Sequence, residues 1–215
     1  MKRVIIFFLS VITPLFSGCE LVPTRVTDSS QLQRSSWHWE GNNQHYTHYA
    51  RKAISDVGQE LLAAEPADVG QFCWSYAGLD SEARLWFWSD LLAAMSKLES
   101  NHDEALQYTE RFADVKGHRV VSRGLLQLSI ESSQNYQCGL SEAVQLHSPE
   151  QNIRCATRIL NKWVAQDNAI GGGSTFRHNW QGGARYWSVL RNREKRQLIQ
   201  QRMQNEAYCH STHFD

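Results

Sequence analysis

Residues 78–100 read GLDSEARLWFWSDLLAAMSKLES, and the periodicity of that stretch decides the fold class. Apolar residues recur at three- and four-residue spacing, Asp80 and Ser81 are both good N-caps, and Glu82 puts an acid in the first turn, so an amphipathic helix ending near Ser100 is expected. At 100° per residue, Leu85, Trp88, Leu92, Met95 and Glu99 fall within an arc of about 80°, flanked by Leu91 and Leu98. Ser89, Asp90, Ser96 and Lys97 occupy the opposite side. Glu99 is thus a carboxylate in the middle of an apolar face. Left charged and unpaired there it costs several kcal/mol, so it must find a partner, reach a cleft or hold a proton. A carboxyl that holds a proton near neutral pH is a general acid.

Outward from this helix, residues 48–65 (HYARKAISDVGQELLAAE) and 147–166 (HSPEQNIRCATRILNKWVAQ) have the same spacing. The second of these is announced by Ser148 as cap, Pro149 in the first turn and Gln151 in the capping-box position. Glycines at 171–173 break it, and a charged final helix is expected over about 183–207. Residues 116–129 (KGHRVVSRGLLQLS) are the stretch with hairpin character, Val-rich and flanked by glycine. No internal repeat appears. The expected fold is mainly α: one helical domain over residues 37–215 with a small β-hairpin or extended segment after the helix that carries Glu99.

The chain has 215 residues, 41% hydrophobic and 20% charged, with zero formal net charge, enough for one buried core and without the basic footprint of a nucleic-acid binder. Lys2 and Arg3 precede an apolar run from Val4 to Phe16 that is too short for a membrane span and the right length for a signal peptide. Small residues then lead into Cys19, the pattern of a bacterial lipoprotein whose cysteine is lipidated. Residues 1–18 are therefore expected as a lipoprotein signal, and Cys19 as a lipid anchor to a membrane. Residues 19–36, rich in Ser, Thr, Gln and Val, form a tether spanning roughly 20–25 Å. Glu20 after the cysteine tilts the expected location toward the periplasmic face of the outer membrane. Cys73, Cys138, Cys155 and Cys209 remain in an oxidising compartment and allow three disulfide pairings. The expected one joins Cys138 with Cys155, clipping a short excursion, and Cys73 with Cys209, fastening the C-terminal tail to the start of the domain.

Four segments in order, LESNHDE (98–104), VVSRGLLQLS (120–129), SPEQNIRCATRIL (148–160) and GGARYW (182–187), resemble the lysozyme-like fold of the soluble lytic transglycosylase family. The resemblance covers about residues 81–190. It implies that Glu99 is the catalytic acid and base, with Ser100 beside it. It matches Ser122, Gly124, Leu125 and Gln127 to the segment crossing the cleft, Asn152 to the supporting helix and Tyr186 to the tyrosine near the glutamate, all as substrate-site residues. The glycine would let backbone approach the sugar. The chain departs from the family pattern at Trp187 and Ser188, which stand where Asn and Ala are usual, and residues 120–127 are a compressed form of a longer family segment.

The implied reaction is cleavage of the β-1,4 bond between N-acetylmuramic acid and N-acetylglucosamine in peptidoglycan, giving a 1,6-anhydro product with one carboxyl and no cofactor. A lysozyme-type muramidase is the alternative enzyme. It needs a second carboxylate, for which Asp103, Asp114 and Glu131 are candidates. A non-catalytic glycan-binding envelope lipoprotein is the alternative outside enzymology. His45 and His48 lie one turn apart, but no third ligand has matching spacing and HExxH is absent, so no metal is expected. Trp86, Trp88 and Trp163 read as core, Trp180 and Trp187 as candidates for sugar contact, and the Arg191 to Arg196 run as a solvated helix face.

Overall fold

In the computed structural model, residues 37–39, 44–173 and 179–210 are described. Residues 1–36, with the expected signal peptide, Cys19 and the expected tether, lie outside them. The elements run α1 (Gln44–Val57), α2 (Gln59–Ala63), α3 (Ser81–Ser100), β1 (Gln107–Ala113), β2 (Arg119–Arg123), α4 (Ile130–Asn135), α5 (Pro149–Asp167), β3 (Gly171–Gly172), β4 (Gln181–Gly182), α6 (Ser188–Arg191) and α7 (Arg193–Gln204). Among the described residues the architecture is mainly helical with two antiparallel two-stranded sheets, β1–β2 and β3–β4.

Helix α3 is the axis of the domain. The Asp80 side chain accepts a hydrogen bond from the backbone N–H of Ala83 at 2.8 Å and starts it. Asn101 (φ 55°) and His102 (φ 64°), both left-handed, stop it. The two-sided pattern read from the sequence needs correction, because Ser89 and Ser96 are buried as completely as Trp88 and Met95. Helix α1 packs on one part of α3 and α7 on another, so small polar residues on the second face serve close packing. The core gathers Trp39, Phe72, Tyr76, Phe87, Trp88, Leu91, Leu125, Ile159 and Trp187 around this axis. Disulfides join Cys73 to Cys209 and Cys138 to Cys155.

Other boundaries differ from expectation for local reasons. Gly58 divides the first helix into α1 and α2. Helix α5 starts after Ser148, but the Ser148 side chain makes no cap bond; the reciprocal capping box forms instead between Glu142 and Gln145, around the 3-10 turn Ala143–His147. The expected helix over 183–207 is three pieces, because Trp187 and Asn192 both adopt extended backbone angles. Asn192 then caps α7 by accepting from the N–H of Lys195 at 2.9 Å. The hairpin begins nine residues earlier than expected, at Gln107, with β1 supplying a strand that is polar and mostly exposed. Residues 124–129 form the tight turn after β2, bridged between Arg123 and Leu128.

Candidate active site

The end of α3, the β1–β2 hairpin, α4 and α6 enclose a cleft of about 630 Å³ lined by Glu99, Glu110, Phe112, Ser122, Tyr186 and Arg191, among others. Its size is that of an ordinary ligand site.

Glu99 occupies the last turn of α3. Its Oε1 atom is buried with no hydrogen-bond partner among the described residues, while the backbone N–H of Val189, at the start of α6, donates to the carboxyl. Burial pushes this group up to about 7, and the charge of Glu110 adds to the rise; the Val189 hydrogen bond, Lys195 and Arg191 pull the other way. A proton is thus held near neutrality on a group facing the cleft.

The position of Glu99 is fixed from behind. Ser100 Oγ donates to the carbonyl of Leu125 at 2.8 Å, tying the helix end to the turn after β2. That turn is held by Asn152, fully buried on α5. Its Oδ1 accepts from the N–H of Leu126 at 3.0 Å, and its Nδ2 donates to the carbonyls of Arg123 at 3.0 Å and Leu146 at 2.8 Å. Gly124 (φ +73°) makes this approach possible, since a Cβ there would lie 2.2 Å from the Leu146 carbonyl oxygen and 2.5 Å from Asn152 Nδ2. Its bareness serves the close approach of Asn152 and Leu146. Ser100, Gly124, Leu125 and Asn152 stand behind the cleft wall. Ser122, Gln127 and Tyr186 line it. Gln127 (φ 46°) spends its amide on the carbonyls of Gly124 at 2.9 Å and Leu106 at 3.3 Å. The Tyr186 hydroxyl bonds to the Ser132 side chain and the Ser129 backbone, and burial pushes it up to about 12.

Glu110 was missed in the sequence. It is the half-buried residue of an otherwise exposed strand, and it faces the cleft because the β1–β2 register shifts between Thr109 and Ala113. Such bulges re-aim side chains. Ser122 Oγ, on β2, donates to its Oε1 at 2.7 Å. The only signal available was an acid eleven residues after Glu99 in a strand-like run, which resembles any solvated charge.

The carboxylates named as possible partners fare differently. Asp103 is exposed and accepts from the N–H of Ala105 at 2.8 Å. Asp114 lines the cleft but commits its carboxylate to the hairpin turn, accepting from the N–H groups of Lys116 at 2.9 Å and His118 at 2.8 Å; the bond from His118, the largest effect, and that from Lys116 hold it below its ordinary range. Glu131 lines the cleft with a buried Oε2 that has no partner among the described residues. Trp187 reaches the cleft only as floor, buried, with its Nε1 donating to the Leu126 carbonyl at 3.0 Å. Trp180 is half-buried and packs on the core away from the cleft lining. Trp86 and Trp163 are half-buried beneath Arg51 and Arg185, whose guanidinium groups lie 4.1 and 4.8 Å from the ring centroids. The Arg191 to Arg196 run is solvent-exposed over residues 192–195, while its two ends turn inward. Arg191 bonds the carbonyls of Ala184, Arg185 and Tyr186, and Arg196 that of Leu190.

His45 and His48 pack against Tyr49. A His, Asp and Glu do converge elsewhere, at His38, Asp90 and Glu206. There the guanidinium of Arg202 pairs with Glu206 and lies against the His38 ring.

No protein-family model matches the sequence, and no curated protein does. Solved structures of the Bdellovibrio protein Bd0314 DslA do: its wild-type form 2 at 40% identity and a TM-score of 0.75, and two mutants, each with one glutamate changed to glutamine, at 39% and 38% with TM-scores of 0.75 and 0.74. The likeness covers 80% of this chain and 96% of DslA, and is consistent with a lysozyme-like fold. At that identity over nearly the whole relative, the chain belongs to the family of Bd0314 DslA.

Proposed function

We propose that the protein is a glycosidase that cuts the β-1,4 bonds of peptidoglycan strands, with Glu99 as general acid and Glu110 as second carboxyl. The carrying observation is Glu99 itself, a buried carboxyl holding a proton near neutrality at the wall of an open cleft. Glu99 protonates the glycosidic oxygen as the bond breaks. Glu110, held by Ser122, acts on the opposite side of the sugar, where two-carboxyl glycosidases place their base or nucleophile. The spacing in DslA supports this pairing: the two glutamates replaced there are eleven positions apart, as are Glu99 and Glu110.

Two carboxyls favour hydrolysis, the muramidase outcome. The transglycosylase outcome implied by the motif order is favoured by Glu99 itself, whose raised proton affinity and buried oxygen suit one carboxyl acting as acid and then as base. Digestion of purified peptidoglycan separates them. Reducing ends, with loss of turnover in both Glu99→Gln and Glu110→Gln, establish hydrolysis. Products with 1,6-anhydro ends, and a Glu110→Gln variant that still turns over, establish transglycosylation. No turnover by the wild type on any wall preparation leaves the glycan-binding lipoprotein. We further propose lipidation at Cys19 and residence on the periplasmic face of the outer membrane, which metabolic labelling with a fatty acid tests through its loss in Cys19→Ser.

A further inference from the structure

The hairpin presents two large aromatic residues outward from one strand, Tyr108 and Phe112, 52% and 61% exposed. Only Phe112 lines the cleft, together with Glu110 two residues before it and Val115 at the hairpin tip, which is fully exposed. A single exposed ring is ordinary on a protein surface, but Phe112 and Val115 are exposed where they line a cleft, the place at which apolar and aromatic side chains meet a ligand. Phe112 is also held in place. The strand register shifts across residues 110–112, the segment that turns Glu110 toward the cleft. Beyond it the turn is closed by Asp114, which takes the N–H groups of Lys116 and His118, and Arg119 Nη1 donates to the Glu110 carbonyl at 3.1 Å. The bulge that aims Glu110 therefore also sets Phe112.

We propose that Phe112 is a substrate-positioning platform: its ring receives the apolar C–H face of a pyranose next to the bond being cut, with Val115 extending the contact. The proposal rests on the glycan-cleaving reading above and adds the side of the cleft on which a sugar is gripped. A β-linked pyranose turns axial C–H groups to one face, and these meet the electron-rich face of an aromatic ring favourably. Strand geometry places Phe112 about 6–7 Å along β1 from Glu110, within the reach of a sugar neighbouring the scissile bond. A grip of this kind acts on the bound substrate and the transition state alike, and so raises affinity without changing the chemical step.

The test compares Phe112→Ala, Phe112→Trp and Tyr108→Ala, using peptide-free glycan strands for kinetics and the same strands for equilibrium binding in a Glu99→Gln background. Phe112→Ala is expected to raise KM and the dissociation constant roughly tenfold, the order for losing one sizeable apolar contact, with kcat within about twofold. Phe112→Trp restores binding, and Tyr108→Ala, as exposed but outside the cleft lining, leaves both constants unchanged. Unaltered binding by Phe112→Ala overturns the proposal, as does an equal effect of Tyr108→Ala. Should Glu99→Gln retain full turnover, the reaction reading falls while the binding comparison still decides the role of Phe112.

Discussion

Ser122 Oγ donates to Glu110 Oε1 across the hairpin at 2.7 Å, a bond that orients the second of the two proposed catalytic carboxyls. Ser122→Ala frees that carboxyl to rotate while leaving Glu99 in place. Turnover is expected to fall about 10- to 100-fold, the scale of losing the orientation of a catalytic group, with thermal stability little changed. Ser122→Thr, which keeps the hydroxyl, restores most of it. Measuring kcat and KM separately checks that the loss lies in kcat.

Glu99 carries a pH signature whose sign follows from its raised proton affinity. The unfolded carboxyl titrates near 4.5 and the folded one near 7, so between these values the folded state holds the extra proton and stability falls as pH rises. Glu99→Gln removes the cost of ionising a buried group. The variant should equal the wild type at pH 4 and exceed it at pH 8 by up to about 3 kcal/mol. Urea denaturation at the two values measures this, and the wild-type activity should decline as pH passes 7.

Asn152 satisfies one N–H and two carbonyls from the interior. Asn152→Ala strands all three and opens a void, and should cost about 3 kcal/mol or more. Because the stranded groups hold the turn bearing Leu125, against which Ser100 is tied, activity is expected to fall further than the folded fraction. Activity normalised to folded protein by circular dichroism reports the difference.

His38 is pushed up to about 9. Burial alone would lower it, but hydrogen bonds and charge from Asp90 and Glu206 outweigh that cost. With the unfolded group titrating near 6.5, the stabilisation is complete below that value and is lost as pH rises through 9. The stability difference between wild type and His38→Gln should therefore shrink by up to about 3 kcal/mol from pH 6 to pH 10. A difference that is flat across this range would sink the assignment.

Helical periodicity made Glu99 legible because a carboxylate breaks an apolar pattern wherever it falls. Glu110 follows no such rule. Its strand is exposed on both faces, and its direction is set by a register shift against β2, which no local pattern in QYTERFA announces. Asn152 was legible as a position but not in its role, since what its amide touches depends on residues 123–126 and 146, brought to it by tertiary packing. Ser89 and Ser96 misled in the opposite sense: small polar residues read as a solvated face, and here they allow helices to approach from a second side. The interruption of the last helix was available in principle, because Asn192 is a strong N-cap, yet the surrounding charges of RNREKR give a helix-like composition that hides it.

The burial of α3 on more than one side has a consequence for time as well as for position. Amides in the buried turns of that helix should exchange with solvent only in the largest openings, and those of the exposed hairpin through local excursions. The acid is thus mounted on the helix at the centre of the core and its partner on a hairpin that faces solvent. The gap between the two carboxyls is set by the hairpin, and a strand of glycan that steadies the hairpin should slow exchange at Glu110 while leaving that at Glu99 untouched.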